Sequence, residues 1–221
     1  MLIKYFFLLL SFFIYTTSFN TAFAGQTPEE TLLMMEKITP SFQTEKLYGA
    51  MEMAPENPTN NLRRASGSTF FAKGVPLLIE GRIFDIAGKP ISNVRVKVVQ
   101  ANHFGSYNFL LDADSAVYDP HFMSSGTSVT NNLGEYSFLT IMPGYYKNRA
   151  PHLHITISYK DFEFETEMFF SNHPRNEGDE KYLALSKKQR TAVTGVVYYK
   201  DEKNFHIGMK AMFDMYVNYN L

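Results

Sequence analysis

The feature that most restricts this chain is the spacing of its apolar residues from residue 77 onward. They fall in short runs, largely at every second position, and Gly, Pro, Asn or Asp closes most of them. Val94-Arg95-Val96-Lys97-Val98 alternates apolar and basic side chains, as a strand with one buried face must. The same reading predicts strands at Leu77 to Phe84, Glu135 to Ile141, His152 to Tyr159, Phe162 to Phe170, Thr194 to Tyr199 and Met209 to Val217. Asp85 to Pro90 is a turn built on Gly88 and Pro90, and the only helix expected in this region is a short one near Ser186 to Arg190. Short strands with close turn signals predict an all-β chain, specifically an antiparallel β-sandwich over residues 76–221.

The preceding part reads differently. Lys4, the apolar run Tyr5 to Tyr15 and Ala22-Phe23-Ala24 form the three parts of a secretory signal peptide over residues 1–24. That run has 11 residues, short of the roughly 20 needed to span a bilayer, so cleavage and export, periplasmic or secreted, are expected rather than stable membrane insertion. Residues 25–75 read as an N-terminal arm. Thr27-Pro28-Glu29-Glu30 is a helix start, Leu32, Leu33, Met35 and Ile38 follow, and Pro40 closes one short helix. Met53 to Ser68, rich in Pro, Asn, Ser and Gly, reads as an extended segment lying across the domain.

Composition narrows the chemistry. With 21 basic and 22 acidic side chains there is no electrostatic footprint for nucleic acid. The absence of cysteine excludes disulfides, zinc–thiolate sites, iron–sulfur clusters and thiol nucleophiles, so any metal must be held by His, Tyr, Asp or Glu. No P-loop, dinucleotide-binding Gly pattern or Ser-His-Asp arrangement competes. His152 and His154 stand two apart in a strand-like run, so both imidazoles leave the same face at a spacing suited to one metal ion. Such pairs also occur on ordinary strand surfaces.

Five segments in order sharpen that reading. They are Gly81, Asp85, Gly88 and Pro90; Gln100 to Tyr107; Asp119, Pro120 and Phe122; Gly134 to Tyr146; and Arg149 to His154. Together they resemble the intradiol ring-cleaving dioxygenases, the non-haem ferric enzymes that include protocatechuate 3,4-dioxygenase and catechol 1,2-dioxygenase, and the short Tyr146–Arg149 spacing resembles their secreted branch. The resemblance implies one mononuclear Fe(III) held by Tyr107, Tyr146, His152 and His154. It implies Arg149 as an active-site cation and Tyr146 as the ligand that leaves and takes up a substrate proton. It also implies a small catecholic substrate and O2 as partners, with the ring cut between its two hydroxyl-bearing carbons to give a cis,cis-muconate. The ligand set agrees with hard-cation chemistry, since ferric iron prefers anionic oxygen. Tyr145 competes with Tyr146 for the second phenolate position, and spacing from Pro143-Gly144 favours Tyr146.

The chain departs from the family pattern at Glu167, where many members carry Gln, at Val99 in place of Trp and at Asn131 in place of Asp. Glu167 either pairs with Arg149 or places an extra carboxylate by the site. Two other readings stand beside the dioxygenase: a non-catalytic transthyretin-like β-sandwich binding module, and a metal-binding homologue without oxygenase activity. The arm is expected to cover a sheet edge or to pair with another subunit in a homo-oligomer.

Overall fold

The computed structural model describes Thr27, Glu29 and residues 38–42, 53–110, 117–199 and 208–219. The signal-peptide reading and most of the expected arm helix lie outside these residues; Glu29 is helical and residues 38–42 are not. Nine strands follow in the order β1 Pro76–Asp85, β2 Arg95–Gln100, β3 Ser125–Val129, β4 Glu135–Ile141, β5 His152–Tyr159, β6 Phe162–Phe170, β7 Thr194–Tyr199, β8 Met209–Met212 and β9 Met215–Val217. Between β6 and β7 lie a 3-10 turn, Pro174–Gly178, and two short helices, α1 Glu180–Ala184 and α2 Lys187–Ala192. Ser186 and Gln189 close a capping box on α2, which is the one helix the sequence signalled here.

The all-β expectation holds, with a correction to strand direction. The sheet is mixed: the order is β3-β2-β5-β6-β7-β8-β1-β4, with β9 also on β1. Strands β8 and β9 run parallel to β1, and β7 parallel to β6. The period of two places each side chain on a face but carries no information on strand direction, which depends on where the crossover delivers the next strand. Strand β6 meets β7 through only Phe169↔Thr194 and Phe170↔Gly195, so the sheet turns over there into two layers. Leu77, Ile79 and Ile83 of β1 and Tyr136 and Phe138 of β4 face Val96, Val98, Leu153, Ile155 and Ile157 of β2 and β5 in one apolar core. Strand β3 was not expected, because Ser125-Gly126-Thr127-Ser128-Val129 has no apolar alternation; its backbone pairing with β2 defines it.

The expected strand over 209–217 is interrupted at Phe213 and Asp214. A Cβ on Gly81 would lie 1.8 Å from the Phe213 carbonyl oxygen, so only glycine lets β1 approach this closely. At the break Phe213 N–H donates to Glu80 O at 2.9 Å. Arg82 N–H donates to Asp214 Oδ1 at 2.8 Å, and the buried Tyr136 hydroxyl donates to Phe213 O at 2.6 Å. Residues 59–62 run along the outer strands: Thr127 N–H donates to Thr59 O, and Leu139 exchanges backbone bonds with Asn60 and Leu62. That segment covers backbone groups which an edge would otherwise leave open. No helix among the described residues is long and apolar enough to cross a membrane.

Tyr136→Phe leaves the Phe213 carbonyl buried without its donor. Urea denaturation should show a loss of about 1–3 kcal/mol with an unchanged denaturant slope.

Candidate metal centre

Strand β5 carries the centre on the face opposite the core. Leu153, Ile155 and Ile157 point inward, so His152 and His154 leave the other side, and each is only 4% exposed. Cross-strand register sets Glu167 and Val99 beside His154 and Phe169 beside His152. The Phe169 ring stacks on His152 with centroids 5.8 Å apart.

The loop after β2 brings in the first tyrosine. Gln100 is fully buried and ties the strand end to β4, donating to Ile141 O and accepting from Thr140 Oγ1. Asn102 Oδ1 accepts from Phe104 N–H and Ser106 N–H, which folds the loop tightly. Gly105 has φ 80°. A Cβ there would meet the Tyr145 carbonyl oxygen at 2.0 Å. This approach seats the strand-end segment bearing Tyr145 and Tyr146 against the loop bearing Tyr107. The Tyr107 and Tyr146 rings meet edge to face at 5.1 Å. Tyr145, 52% exposed, instead turns outward under the Arg175 guanidinium, 3.5 Å from its ring centre. Tyr146 is half-buried with the Lys147 ammonium 5.0 Å from its ring centre, and Arg149 N–H donates to Tyr146 O in the turn that follows.

Three polar atoms converge. His152 Nε2 lies 3.2 Å from His154 Nε2, and His154 Nε2 lies 3.1 Å from Tyr107 Oη. Two atoms that each sit about 2.1 Å from one ion, at right-angled to tetrahedral spacing, are about 3.0–3.4 Å apart, so the residues present fit a metal ion. Tautomer chemistry supports the same conclusion. His152 Nδ1 is 2.6 Å from the Ala150 carbonyl, which only accepts, so Nδ1 carries the proton and Nε2 presents a lone pair. Glu167 Oε1, 3.6 Å from His154 Nδ1, favours the proton on that nitrogen too. Two lone pairs and a phenol oxygen then face one another in a buried space, an arrangement that a cation resolves.

Burial dominates the electrostatics. It holds both imidazoles below the ordinary value, with Arg149 opposing their charge as well, and His152 and Lys181 further opposing protonation of His154. For Arg149 burial acts against the charge, but Glu167 and Asp179 outweigh it and raise the guanidinium above its usual value. The sequence alternative of a Glu167–Arg149 pair is what the structure contains: Arg149 Nη2 meets Glu167 Oε2 and Nε meets Asp179 Oδ2 at 2.8 Å. Asp179 belongs to no motif and went unnoticed in the sequence; its only signal is a cap position before α1. One oxygen or nitrogen from each of His152, His154 and Glu167 also lies within 4.8 Å of the others. The Glu167 carboxylate, however, addresses Arg149 and the Nδ1 side of His154, away from the converging Nε2 atoms. His103, His121 and His173 stand elsewhere: His103 packs against Gly74 and Phe104, His121 bonds Ser68, and His173 caps the 3-10 turn. His206 is outside the described residues.

Comparison with known proteins agrees with the family and the fold. Residues 48–217 match the family model described as "Dioxygenase". The chain is 32% identical over 137 residues to the protocatechuate 3,4-dioxygenase beta chain of Burkholderia cepacia, covering 58% of this chain and 57% of that one. It spans between half and two thirds of the length of the first curated relatives it matches. Among solved structures, catechol 1,2-dioxygenase of Acinetobacter sp. ADP1 superimposes with TM-score 0.58 at 24% identity, covering 86% of this chain and 66% of that one. The dioxygenase domain of a carbohydrate-binding fusion from Streptomyces sp. SirexAA-E gives 0.57 at 24% identity, covering 81% and 93%. At these identities the structures establish the fold.

The buried histidines set a pH dependence for the metal-free protein. Their folded values are depressed, so the unfolded chain binds protons first as pH falls through about 6.5. Stability is therefore retained above that pH and declines below it. Urea midpoints taken from pH 7.5 to 5.5 should fall, and His152→Asn with His154→Asn should flatten the decline.

Proposed function

The chain belongs to the intradiol ring-cleaving dioxygenase family, and on that premise we propose that it binds Fe(III) and opens a catechol ring with O2 between the two hydroxyl-bearing carbons, giving a cis,cis-muconate. The family uses non-haem iron. The observation that carries the reading is the convergence of Tyr107 Oη with the Nε2 atoms of His152 and His154. Tyr107, Tyr146, His152 and His154 form the proposed ligand set. A bound ferric ion supplies electron withdrawal from a catecholate, which exposes a ring carbon to O2.

The remaining work falls to the chain. Two tyrosinates supply anionic oxygen and two neutral imidazoles supply nitrogen without adding charge. Burial keeps those imidazoles neutral, so no proton competes at Nε2. Tyr146 is the better placed tyrosine to exchange a proton with substrate: it is half-buried, whereas Tyr107 is 5% exposed. Arg149, 5.8 Å from the Phe169 ring centre, places its guanidinium beside the histidines, where its local field, rather than any net charge, would act on anionic density developing on a substrate ring. Its donors are also engaged by Glu167 and Asp179, so the guanidinium is fixed in place. Export through the leader at residues 1–24 is proposed on the sequence alone.

A second reading follows from the proximity of Glu167: a divalent ion held by His152, His154 and Glu167. Visible absorption of the iron-loaded protein separates the two. A tyrosinate-to-iron band that shifts on adding catechol under air, followed by ultraviolet absorption of a muconate, is the expected result. Tyr107→Phe should abolish most of the band and the turnover. A metal-loaded protein without the band favours the His-His-Glu set, and a colourless protein inert after iron loading returns the chain to the binding-module reading.

A further inference from the structure

One buried carboxylate connects to both imidazoles. Asp179, with no exposed surface, ends the 3-10 turn and caps α1. Its Oδ1 accepts from Tyr182 N–H at 3.0 Å, and its Oδ2 accepts from both Arg149 Nε and Ala150 N–H at 2.8 Å. Two lines of contact run from there. Through the Ala150 residue, whose carbonyl accepts from His152 Nδ1 at 2.6 Å, Asp179 fixes the ring plane of His152. Through the Arg149 guanidinium, which also holds Glu167 Oε2, it fixes the carboxylate whose other oxygen stands 3.6 Å from His154 Nδ1.

We propose that Asp179, acting with Glu167, is a positioning residue for the metal centre that sets the orientation of both histidines through Arg149 and Ala150. The inference rests on the metal reading above and extends it to residues that touch neither metal nor substrate. An imidazole bound through Nε2 still rotates about its Cβ–Cγ bond, and a partner at Nδ1 removes that freedom and raises ligand basicity. A guanidinium gripped by two carboxylates is a rigid link, because charge-assisted bonds of fixed fork geometry resist reorientation. Arg149 and Lys181, 3.9 Å from Glu167, offset Glu167 and Asp179, so these four side chains add no net charge beside the site. The helical segment between β6 and β7 thus reaches the centre through Asp179, with Lys181 of the same segment facing Glu167.

Two substitutions test this. Asp179→Asn keeps a capping oxygen for Tyr182 N–H, since Asn caps helices about as well as Asp. It turns an amide NH2 toward the Arg149 and Ala150 donors, so it breaks the clamp and spares the helix. Glu167→Gln leaves the Asp179 contacts in place and disturbs only the His154 side. Wild type and both variants are loaded with ferrous iron under argon and oxidised in air. Iron affinity is then read by chelator competition, site geometry by the visible tyrosinate band, and folding by thermal unfolding of the metal-free proteins. Asp179→Asn should bind iron about 10–100-fold more weakly with a displaced band while the metal-free protein stays folded at the assay temperature, and Glu167→Gln should show a smaller loss. Wild-type affinity and band in a folded Asp179→Asn protein overturn the inference. If that variant does not fold, an unchanged Glu167→Gln spectrum and affinity overturn it instead. A wild type that takes up no iron overturns the metal reading first and this inference with it.

Discussion

Strand β5 is buried on both faces, and much of the molecule answers to that constraint. One face, Leu153, Ile155 and Ile157, belongs to the apolar core and is stabilised by removal from water. The other face bears two imidazoles that lose hydration and must recover it from protein groups or a cation. The loop after β2, the turn after β4 and the segment carrying Asp179 each bring a polar partner to that face. Tyr107 meets His154, Ala150 meets His152, and Asp179 holds Ala150 and Arg149.

The charged group behind the histidines is a matter of geometry more than of stability. A buried ion pair recovers little beyond its desolvation cost, and its replacement by well-packed apolar residues is often neutral. Arg149, Glu167 and Asp179 together nevertheless restrict where each can point, because removing any one leaves a buried charge exposed to the full penalty. A site that must present two lone pairs and a phenol oxygen within 3.1–3.2 Å gains from such restriction. Phe169 and the apolar cluster it forms with Ala150 and Val193 support the arrangement from behind.

Most motif residues prove to be structural. Gln100 joins β2 to β4, Asn102 closes the loop, Gly105 admits the Tyr145 backbone, and Gly81 admits the Phe213 carbonyl. Their recurrence in order was legible because each demands one residue type, glycine for close approach or an amide for paired donors and acceptors. His152 and His154 were legible for a local reason as well: a two-residue spacing on a strand fixes their common face. The Tyr146 and Tyr145 rings part in space, one meeting Tyr107 and the other facing Arg175. Asp179 was not legible, because an acidic residue before a short helix has the same sequence signature whether it caps only that helix or also grips an arginine 30 residues away.

The sequence by itself determined the period-two strands, the absence of any thiol chemistry and the pairing of two histidines on one face, since each of these is a local or compositional property. Tertiary structure alone decided that β8 and β9 run parallel to β1, that residues 213–214 break the last strand, and that Glu167 points to Arg149. Those outcomes depend on crossovers and on cross-strand register between segments far apart in the chain. Alternation along one strand carries no record of which strand will lie beside it or in which direction.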